Sequence, residues 1–223
     1  MEQKPFYPRD RYHHSVVEGH IGVDESGKGD FFGPLVVAAC YVGPEHLAEL
    51  EGVKDSKKLT DIQSMKYAEA IKRACPHSII AIGPAKYNEL YAKFRNLNTL
   101  LAWGHARAIE NVLELQPATH VISDQFAAGG LAVKRALFEK GRSIEFVSQV
   151  RAEADIAVAA ASVLARAEFL RRLKRLSEEW GVDLPKGASP MVVAAGKRFV
   201  AKHGVPALAN VSKSHFKTTQ QLS

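Results

Sequence analysis

Cysteine is scarce in this sequence: the 223 residues contain only Cys40 and Cys75, which are far apart in the chain and form no CxxC pair. Two such residues can build neither a disulfide framework nor a zinc ribbon. The chain also lacks an apolar run of the roughly 18 to 20 residues that span a bilayer, and its first residues are polar rather than signal-like. We therefore expect a cytoplasmic protein with no membrane contact.

Acidic residues are absent from the end of the chain, since no Asp or Glu follows Asp183. The basic residues of this tail are Lys186, Lys197, Arg198, Lys202, Lys213 and Lys217, with His203 and His215 among them. The whole chain carries a formal net charge of +6, which suggests an anionic partner. The tail is either a solvated basic surface or a phosphate-binding face, and charge alone does not decide between them.

The common nucleotide-binding glycine motifs are missing as well. Gly27, Gly29 and Gly33 form GxGxxxG rather than GxGxxG, and no GxxxxGK[ST] segment occurs, which excludes dinucleotide-fold and P-loop sites. The glycines lie between two apolar runs and predict a hairpin or paired strands. They favour close approach of the backbone to a nucleic acid, with Lys28 near a phosphate, and spacing alone does not exclude the alternative of a tight hairpin with an exposed lysine.

Ordinary globular composition, with 46% hydrophobic and 24% charged residues, predicts a folded chain of one main domain. We expect an N-terminal extension over 1–18, a catalytic domain over 19–184 and a basic helical appendage over 185–223. Two early antiparallel strands followed by alternating helices and strands predict an α/β fold, a mixed sheet covered by helices. The other predicted strands are Ser78–Ile82, His120–Asp124 and Ser143–Val147, and the predicted helices are Gln63–Ala74, one from Leu97 to Gln116-Pro117, Leu131–Lys140 and Glu153–Trp180.

Acidic side chains lie at the ends of predicted elements. Asp24 and Glu25 end the first strand, Asp124 ends another, and Glu153 begins the last long helix. Neighbouring strand residues point to opposite faces, so the first two acids can share a metal site only where the strand ends or twists. Acids at strand ends are also common turn residues. Four converging carboxylates would suit Mg²⁺ or Mn²⁺ rather than zinc, and two such ions can hydrolyse a phosphodiester.

The segment DESGKGDFFGPL at 24–35 resembles the signature of ribonuclease HIII, whereas related type HII enzymes have Gly-Arg-Gly at the turn. Further matching segments, in the family's order, are DSKKLT at 55–60, KYNELYAKFRNLNTLLAWGHARAI at 86–109, SDQF at 123–126, AVAAASVLAR at 157–166 and SHFKTT at 214–219. The resemblance implies an RNase H-like fold with a mixed five-stranded sheet. It also implies a two-metal endonuclease that cuts the RNA strand of RNA/DNA hybrids and leaves 5′-phosphate and 3′-hydroxyl ends.

The resemblance also assigns roles to residues of this chain. Asp24, Glu25 and Asp124 would be the first three metal-binding acids. Glu153 would be the fourth, although it lies one residue nearer the AAAS motif than the family pattern requires, and Asp155 competes with it. The implied substrate-binding residues are Ser26, Gly27, Lys28, Gly29, Ser56, Lys57 and Asn98.

Among these substrate-binding residues, the glycine-lysine-glycine turn would contact the RNA backbone and its 2′-hydroxyls. Ser56 and Lys57 would contact phosphate, and Asn98 would reach a sugar edge. The alternative for Lys57 is a solvated side chain that contacts no substrate, and the alternative for Asn98 is a cap of the helix that follows it. For Lys213 and His215 in the tail, binding and structural roles remain equally open.

Two departures from the family pattern qualify this picture. Ribonuclease HIII normally has an N-terminal substrate-binding domain, whereas about twenty residues precede the motif here, so we expect hybrid affinity to come from elsewhere, such as the basic tail. Type HII enzymes usually have a tyrosine after a C-terminal-region glycine, where this chain has Gly187-Ala188. We therefore expect the protein to cut continuous hybrids; the alternatives are HII-like incision at RNA-DNA junctions and a non-catalytic nucleic-acid-binding module. We also expect a monomer.

Overall fold

One mixed sheet organises the protein in the computed structural model, which describes residues 18–54, 56–124, 129–137, 141–149 and 152–222. Its strands are β1 (His20–Ser26), β2 (Leu35–Val42), β3 (His77–Ile82), β4 (His120–Asp124) and β5 (Glu145–Gln149), in the order β3-β2-β1-β4-β5. The β1-β2 and β2-β3 pairs are antiparallel, whereas β1-β4 and β4-β5 are parallel. The predicted mixed five-stranded sheet is therefore confirmed.

Helices cover both faces of this sheet. They are α1 (Asp61–Ala74), α2 (Pro84–Phe94), α3 (Leu97–Leu115), α4 (Gly129–Ala136), α5 (Ile156–Trp180) and α6 (Pro190–His203). Short 3-10 segments occur at Pro44–Leu50, Ser56–Lys58, Gly141–Ser143, Ala152–Ala154, Val205–Asn210 and Lys217–Gln221.

Helix starts follow local capping chemistry. The Thr60 hydroxyl accepts a hydrogen bond from the Gln63 backbone, and Gln63 bonds back to the Thr60 backbone, so α1 begins at Asp61, two residues before the predicted start. The α2 helix, which follows the predicted strand Ser78–Ile82, was not predicted from the sequence. Proline is favoured at the first helical position, where its missing N–H costs nothing, and Pro84 starts α2 in that way.

Two further predicted starts of elements were wrong. The last long helix begins at Ile156 rather than Glu153, because Asp155 caps it and residues 152–154 form a separate 3-10 turn. β5 begins at Glu145 rather than Ser143, since Gly141–Ser143 also form a 3-10 turn. The helix predicted over Leu131–Lys140 is observed as α4, and residues 138–140 lie outside the described part of the chain.

Each face of the sheet is covered by one long helix. Ile21, Val23 and Val37 pack with the apolar face of α3, whereas Val36 and Ala38 pack with α5. Alternation along β1 and β2 therefore sends side chains into two separate cores, as expected for a sheet buried on both sides. Gly22 lies where the first turn of α5 crosses β1: a Cβ there would overlap the Ala157 and Val158 backbone.

The residues after Pro185 pack against α5 rather than apart from it. Val192 and Phe199 of α6, together with Leu208, are buried in the same core as Phe31 and Phe169. The predicted helical character of this segment is confirmed, while its status as a separate appendage stays a prediction. No helix in the described ranges combines the length and apolarity that crossing a bilayer requires.

Candidate active site

Asp24 and Asp124 end two neighbouring parallel strands. Val23 of β1 pairs with Ser123 of β4, so the next residue of each strand, an aspartate, lies at the same edge of the sheet. Side chains at matching positions of parallel neighbours point to the same face. A cleft of about 370 Å³ opens at this edge. It is lined by Asp24, Glu25, Ser26, Gly27, Lys28, Gly29, Asp30, Ser56, Lys57, Asp124, Ser162 and Arg166.

The adjacent acids Asp24 and Glu25 are held from opposite faces of the sheet. Asp24 is hydrogen-bonded to Ser162 on α5, whereas Glu25 Oε2 accepts a hydrogen bond from His105 Nε2 on α3 at 3.1 Å. Both carboxylates still line the cleft because β1 ends at Ser26. The two neighbouring acids thus lie at a strand end and line one cleft, while their sharing of a metal site stays a prediction.

Burial gives these two carboxyl groups different proton affinities. Asp24 lines the cleft, and desolvation by burial and the charge of Glu25 raise its pKa to about 7. Burial also acts to raise the pKa of Glu25, but the hydrogen bond and charge of His105, with the charge of Lys28, lower it below the ordinary value. Two acids crowded in this way favour a cation beside them, since opposite charge would stabilise both ionised forms.

The two candidates for the fourth acid occupy different surroundings. The Asp155 side chain is buried and does not line the cleft; its Oδ1 accepts hydrogen bonds from the backbone N–H groups of Ala157 and Val158, both at 3.0 Å. His20 Nε2 lies 2.8 and 2.9 Å from its carboxylate oxygens. Asp155 is thus engaged in capping α5. Glu153 lies in the preceding 3-10 turn, and its side chain is outside what the structure describes.

The glycine-rich turn presents open backbone to the cleft. Gly27 has a φ of +87°, and a Cβ there would overlap the Pro34 carbonyl, so only glycine fits without strain. A Cβ on Gly29 would meet nothing within 4 Å, which leaves room for a ligand against the backbone. Lys28 is 40% exposed, and its Nζ lies 3.4 Å from Glu25 Oε1.

The remaining predicted binding residues divide between the cleft and its surroundings. Ser56 is buried and its hydroxyl is 2.7 Å from that of Ser162, while Lys57 is exposed on the cleft wall. Asn98 is half-buried and does not line the cleft. It does not cap α3 either: the Asn96 side chain accepts a hydrogen bond from the Asn98 backbone N–H and is the cap.

Besides Asp30, three residues in or beside the cleft were not singled out from the sequence: Ser162 and Arg166, which line it, and His105, which contacts Glu25 next to it. His105 and Ser162 contact the acids as described above, and Arg166 donates a hydrogen bond of 2.6 Å to Asp61. All three lie inside segments already quoted as matching the family. A polar residue on the buried face of a predicted helix, such as His105 among Leu101 and Ile109, is the signal that could have identified them.

The candidate metal ligands that line the cleft are carboxylates, and their oxygen atoms suit a hard divalent cation rather than zinc. Within the described ranges no three His, Cys, Asp or Glu side chains stand close enough to hold one ion. The crowding of Asp24 and Glu25 nevertheless fits a divalent cation, because their ionised forms repel each other and Asp24 is desolvated.

The comparisons with known proteins agree on one family. The profile of the family "Ribonuclease HII" matches residues 21–219. This chain belongs to the ribonuclease HII family. It is accordingly a ribonuclease H, an endonuclease that hydrolyses the RNA strand of RNA/DNA hybrids. Dependence on a divalent metal is a property of the family.

Within this family, the relatives named ribonuclease HIII are similar over most of the chain. That of Chlamydia pneumoniae is 48% identical over 207 residues, 91% of this chain and 69% of its own length. That of Protochlamydia amoebophila is 48% identical over 201 residues, 89% of this chain and 66% of its own length. The chain thus spans about two thirds of these ribonuclease HIII sequences.

Solved structures of the family superpose on this fold. Bst-RNase HIII in complex with Mn²⁺ gives a TM-score of 0.88 at 33% identity, covering 99% of this chain and 74% of that one. The RNase HII of Archaeoglobus fulgidus, solved with PCNA, gives 0.73 at 30% identity, covering 91% and 96%. The resemblance to ribonuclease HIII predicted from the motifs is confirmed.

Proposed function

We propose that the cleft cuts the RNA strand with two Mg²⁺ or Mn²⁺ ions held by Asp24, Glu25, Asp124 and Glu153. The observation that carries this proposal is the meeting of Asp24 and Asp124 at adjacent parallel strand ends, with Glu25 on the same cleft. The Mn²⁺ complex of the structurally similar Bst-RNase HIII supports the choice of ion. When bound, such ions activate a water and stabilise the leaving oxygen.

Neighbouring side chains of the protein fix the orientations of Asp24 and Glu25. Ser162 and His105 hold Asp24 and Glu25 from the two faces of the sheet, so each carboxylate keeps one orientation. The lowered pKa of Glu25 keeps that group ionised, ready to hold a cation. A fixed arrangement costs no reorganisation when charge develops on the phosphate.

The same cleft supplies the substrate contacts of the proposal. Gly29 leaves its backbone open to the RNA strand, and two cations, the partly exposed Lys28 and the exposed Lys57, line the cleft. Backbone groups and lysines bind sugar and phosphate without reading sequence. Ser26, Gly27 and Ser56 line the cleft beside them, whereas Asn98 lies outside it and is a candidate only for the flanking duplex.

Ala188 favours continuous hybrids over single embedded ribonucleotides in this proposal, since the junction-sensing tyrosine expected of type HII enzymes is absent. We further propose a cytoplasmic monomer. The buried free thiols of Cys40 and Cys75 fit a reducing compartment.

The decisive experiment compares two labelled substrates, a continuous RNA/DNA hybrid and a DNA duplex with one ribonucleotide, in Mg²⁺, in Mn²⁺ and in EDTA. We expect metal-dependent cutting at several sites in the hybrid and little cutting of the second substrate. Preferential junction incision would indicate HII-like specificity, and no cutting of either would favour a binding module.

Asp124→Asn is the matched variant for these assays. The substitution keeps the size and one acceptor oxygen but removes the charge, so we expect hybrid cleavage to fall by about 10²-fold or more while the unfolding temperature barely changes. Normal cleavage by a well-folded Asp124→Asn protein would contradict the proposed site.

A further inference from the structure

The catalytic turn, residues 27–34, is held from behind by the C-terminal segment 211–216, here called the C-terminal clasp. Gly33 N–H donates to the Val211 carbonyl at 2.9 Å, and Lys213 N–H donates to the Phe31 carbonyl at 2.9 Å. Phe32 and Ser212 form an isolated antiparallel bridge between these bonds. The clasp thus pairs with the turn much as an extra strand would, although about 180 residues separate them in the chain.

Lys213 reinforces this pairing from a buried position. Its side chain is fully buried, and Nζ donates hydrogen bonds to the carbonyl oxygens of Asp30 and Gly33, both at 2.8 Å. The same Nζ lies 5.7 Å from the centre of the Tyr87 ring. An ammonium enclosed in this way cannot reach a phosphate, so the phosphate-binding interpretation of Lys213 is wrong, and so is the solvated one.

The two acceptors of Lys213 bracket the part of the turn that folds back toward β2. The Asp30 residue lines the cleft beside Gly29 and Lys28, while Gly33, with a φ of +83°, packs on Phe169 of α5. Fixing both carbonyls fixes the direction in which Gly27–Asp30 crosses the cleft. Gly187 restrains the same turn from another side: Phe31 N–H donates to its carbonyl at 2.9 Å, and its own N–H donates to Asp30 Oδ1 at 2.6 Å. Those two bonds hold an N–H group and a side chain, whereas Lys213 holds the backbone carbonyls of Asp30 and Gly33.

The clasp is itself anchored to α2 through Asn88. The Asn88 side chain donates to the carbonyls of Ala209 and Ser212 at 3.0 and 2.9 Å and accepts from Ser214 N–H at 2.9 Å. His215 stacks on Tyr91 of the same helix with ring centres 4.3 Å apart. The clasp therefore has a support that is independent of the turn.

We propose that Lys213 is a positioning residue for RNA hydrolysis, which acts by holding the Asp30 and Gly33 carbonyls so that the Gly27–Asp30 backbone lies correctly against the substrate. The inference rests on the proposed function of the cleft. It assigns to the end of the chain a part in the active site that is mechanical and not a contact with the nucleic acid.

The test uses the full chain with Lys213→Met, which keeps the length of the side chain and removes both donors. Lys217→Met is the matched control, since Lys217 belongs to the same basic tail but is exposed. Asn88→Ala loosens the clasp without touching the turn. For each protein we would measure the unfolding temperature, kcat and KM on a continuous hybrid, and hybrid affinity in EDTA across a range of salt concentrations.

We expect Lys213→Met to lower kcat by about 10²-fold at a temperature where the protein is folded, because misplacement by about 1 Å has that effect on an oriented reaction. The slope of log affinity against log salt should equal that of the wild type. Asn88→Ala should lower kcat in the same direction, and Lys217→Met should leave kcat unchanged.

Several results would overturn the inference. One is a Lys213→Met protein whose kcat equals that of wild type, whether or not its unfolding temperature is lowered. Another is a slope of log affinity against log salt reduced by about one, which marks a lost phosphate contact. If Lys213→Met does not fold, Asn88→Ala decides, and wild-type kcat there contradicts the inference. A wild-type protein that fails to cut the hybrid would instead contradict the proposed function.

Discussion

At the scale of single residues, Glu153 and Asp155 make the sharpest contrast, because they are two positions apart and carry the same charge. Asp155 caps α5 and contacts buried His20, so we expect Asp155→Ala to lower the free energy of unfolding by about 2 to 4 kcal/mol, from the lost cap and the lost hydrogen bond to the His20 imidazole. Its activity per folded molecule should remain near wild type.

Glu153→Gln is the counterpart of that substitution. If Glu153 is the fourth acid, this variant should unfold at the wild-type temperature and lose most hybrid cleavage. Thermal unfolding and cleavage assays on both proteins separate the roles, and a stable, inactive Asp155→Asn protein beside an active Glu153→Gln protein would reverse the assignment.

Lys213 also predicts how stability depends on pH. Burial lowers its pKa from 10.5 to about 7 in the folded protein, with partial compensation from the charge of Asp30. Between these values the unfolded chain binds the proton and the folded chain does not, so stability rises with pH from about 7 toward 10. Tyr87 and His215 are the titratable neighbours, and burial followed by the charge of Lys213 lowers the pKa of His215.

Denaturant unfolding of wild type and Lys213→Met at pH 7 and pH 9 measures this effect. We expect wild type to gain roughly 1 to 3 kcal/mol relative to the variant over that interval. An equal pH response of the two proteins would show that Lys213 keeps an ordinary pKa.

Residues whose role depends on strand geometry were predictable from the sequence, and residues whose role depends on distant contacts were not. Asp24, Glu25 and Asp124 end apolar runs, and parallel pairing then brings such ends together. Lys213 is a lysine in a basic tail by every local criterion. Its burial arises from contacts with Asp30 and Gly33, which no periodicity of the tail encodes.

At the scale of elements, the crossing of α5 over β1 sets the depth of the cleft. Ser162 can reach Asp24 because α5 lies directly on the backbone of Gly22. The sequence predicted this helix and its apolar face correctly, but placed its start three residues early, because the capping role of Asp155 depends on tertiary burial beside His20. Such contacts also fix how closely the helix approaches the sheet.

Gly22→Ala tests this close approach. The added methyl group would overlap the backbone of α5, which cannot move without displacing the helix, so we expect a loss of roughly 1 to 3 kcal/mol or more in unfolding free energy.

Gly29→Ala is the matched control, with open space around its Cβ, and should change stability by less than about 0.5 kcal/mol. Cleavage by Gly29→Ala should nevertheless fall if the RNA backbone lies there. Thermal unfolding of both variants measures the difference. Equal stability of Gly22→Ala and Gly29→Ala would contradict the close approach of α5 to β1.

At the scale of the whole molecule, the net charge of +6 is less available to a nucleic acid than the sequence suggests. In the tail, Lys213 is buried, Lys186 forms an ion pair with Asp61 at 2.6 Å, and Lys202 donates to the last carbonyls of α5 at Trp180 and Gly181. These cations join parts of the fold to each other. The exposed Lys197 and Arg198 lie on α6, which packs at the Trp180 end of α5.

The distance along α5 decides which lysines contact a short hybrid. Arg166 lines the cleft and Trp180 ends the helix 14 residues later, about 20 Å away at 1.5 Å per residue. We therefore expect Lys57→Met to reduce the slope of log affinity against log salt by about one, whereas Lys197→Met leaves it unchanged. Affinities for a short hybrid in EDTA at several salt concentrations provide the measurement. Each phosphate contact that is lost lowers the number of counterions released on binding, and the slope measures that number. A slope reduced for Lys197→Met and unchanged for Lys57→Met would therefore place the nucleic-acid contacts on the tail and not in the cleft.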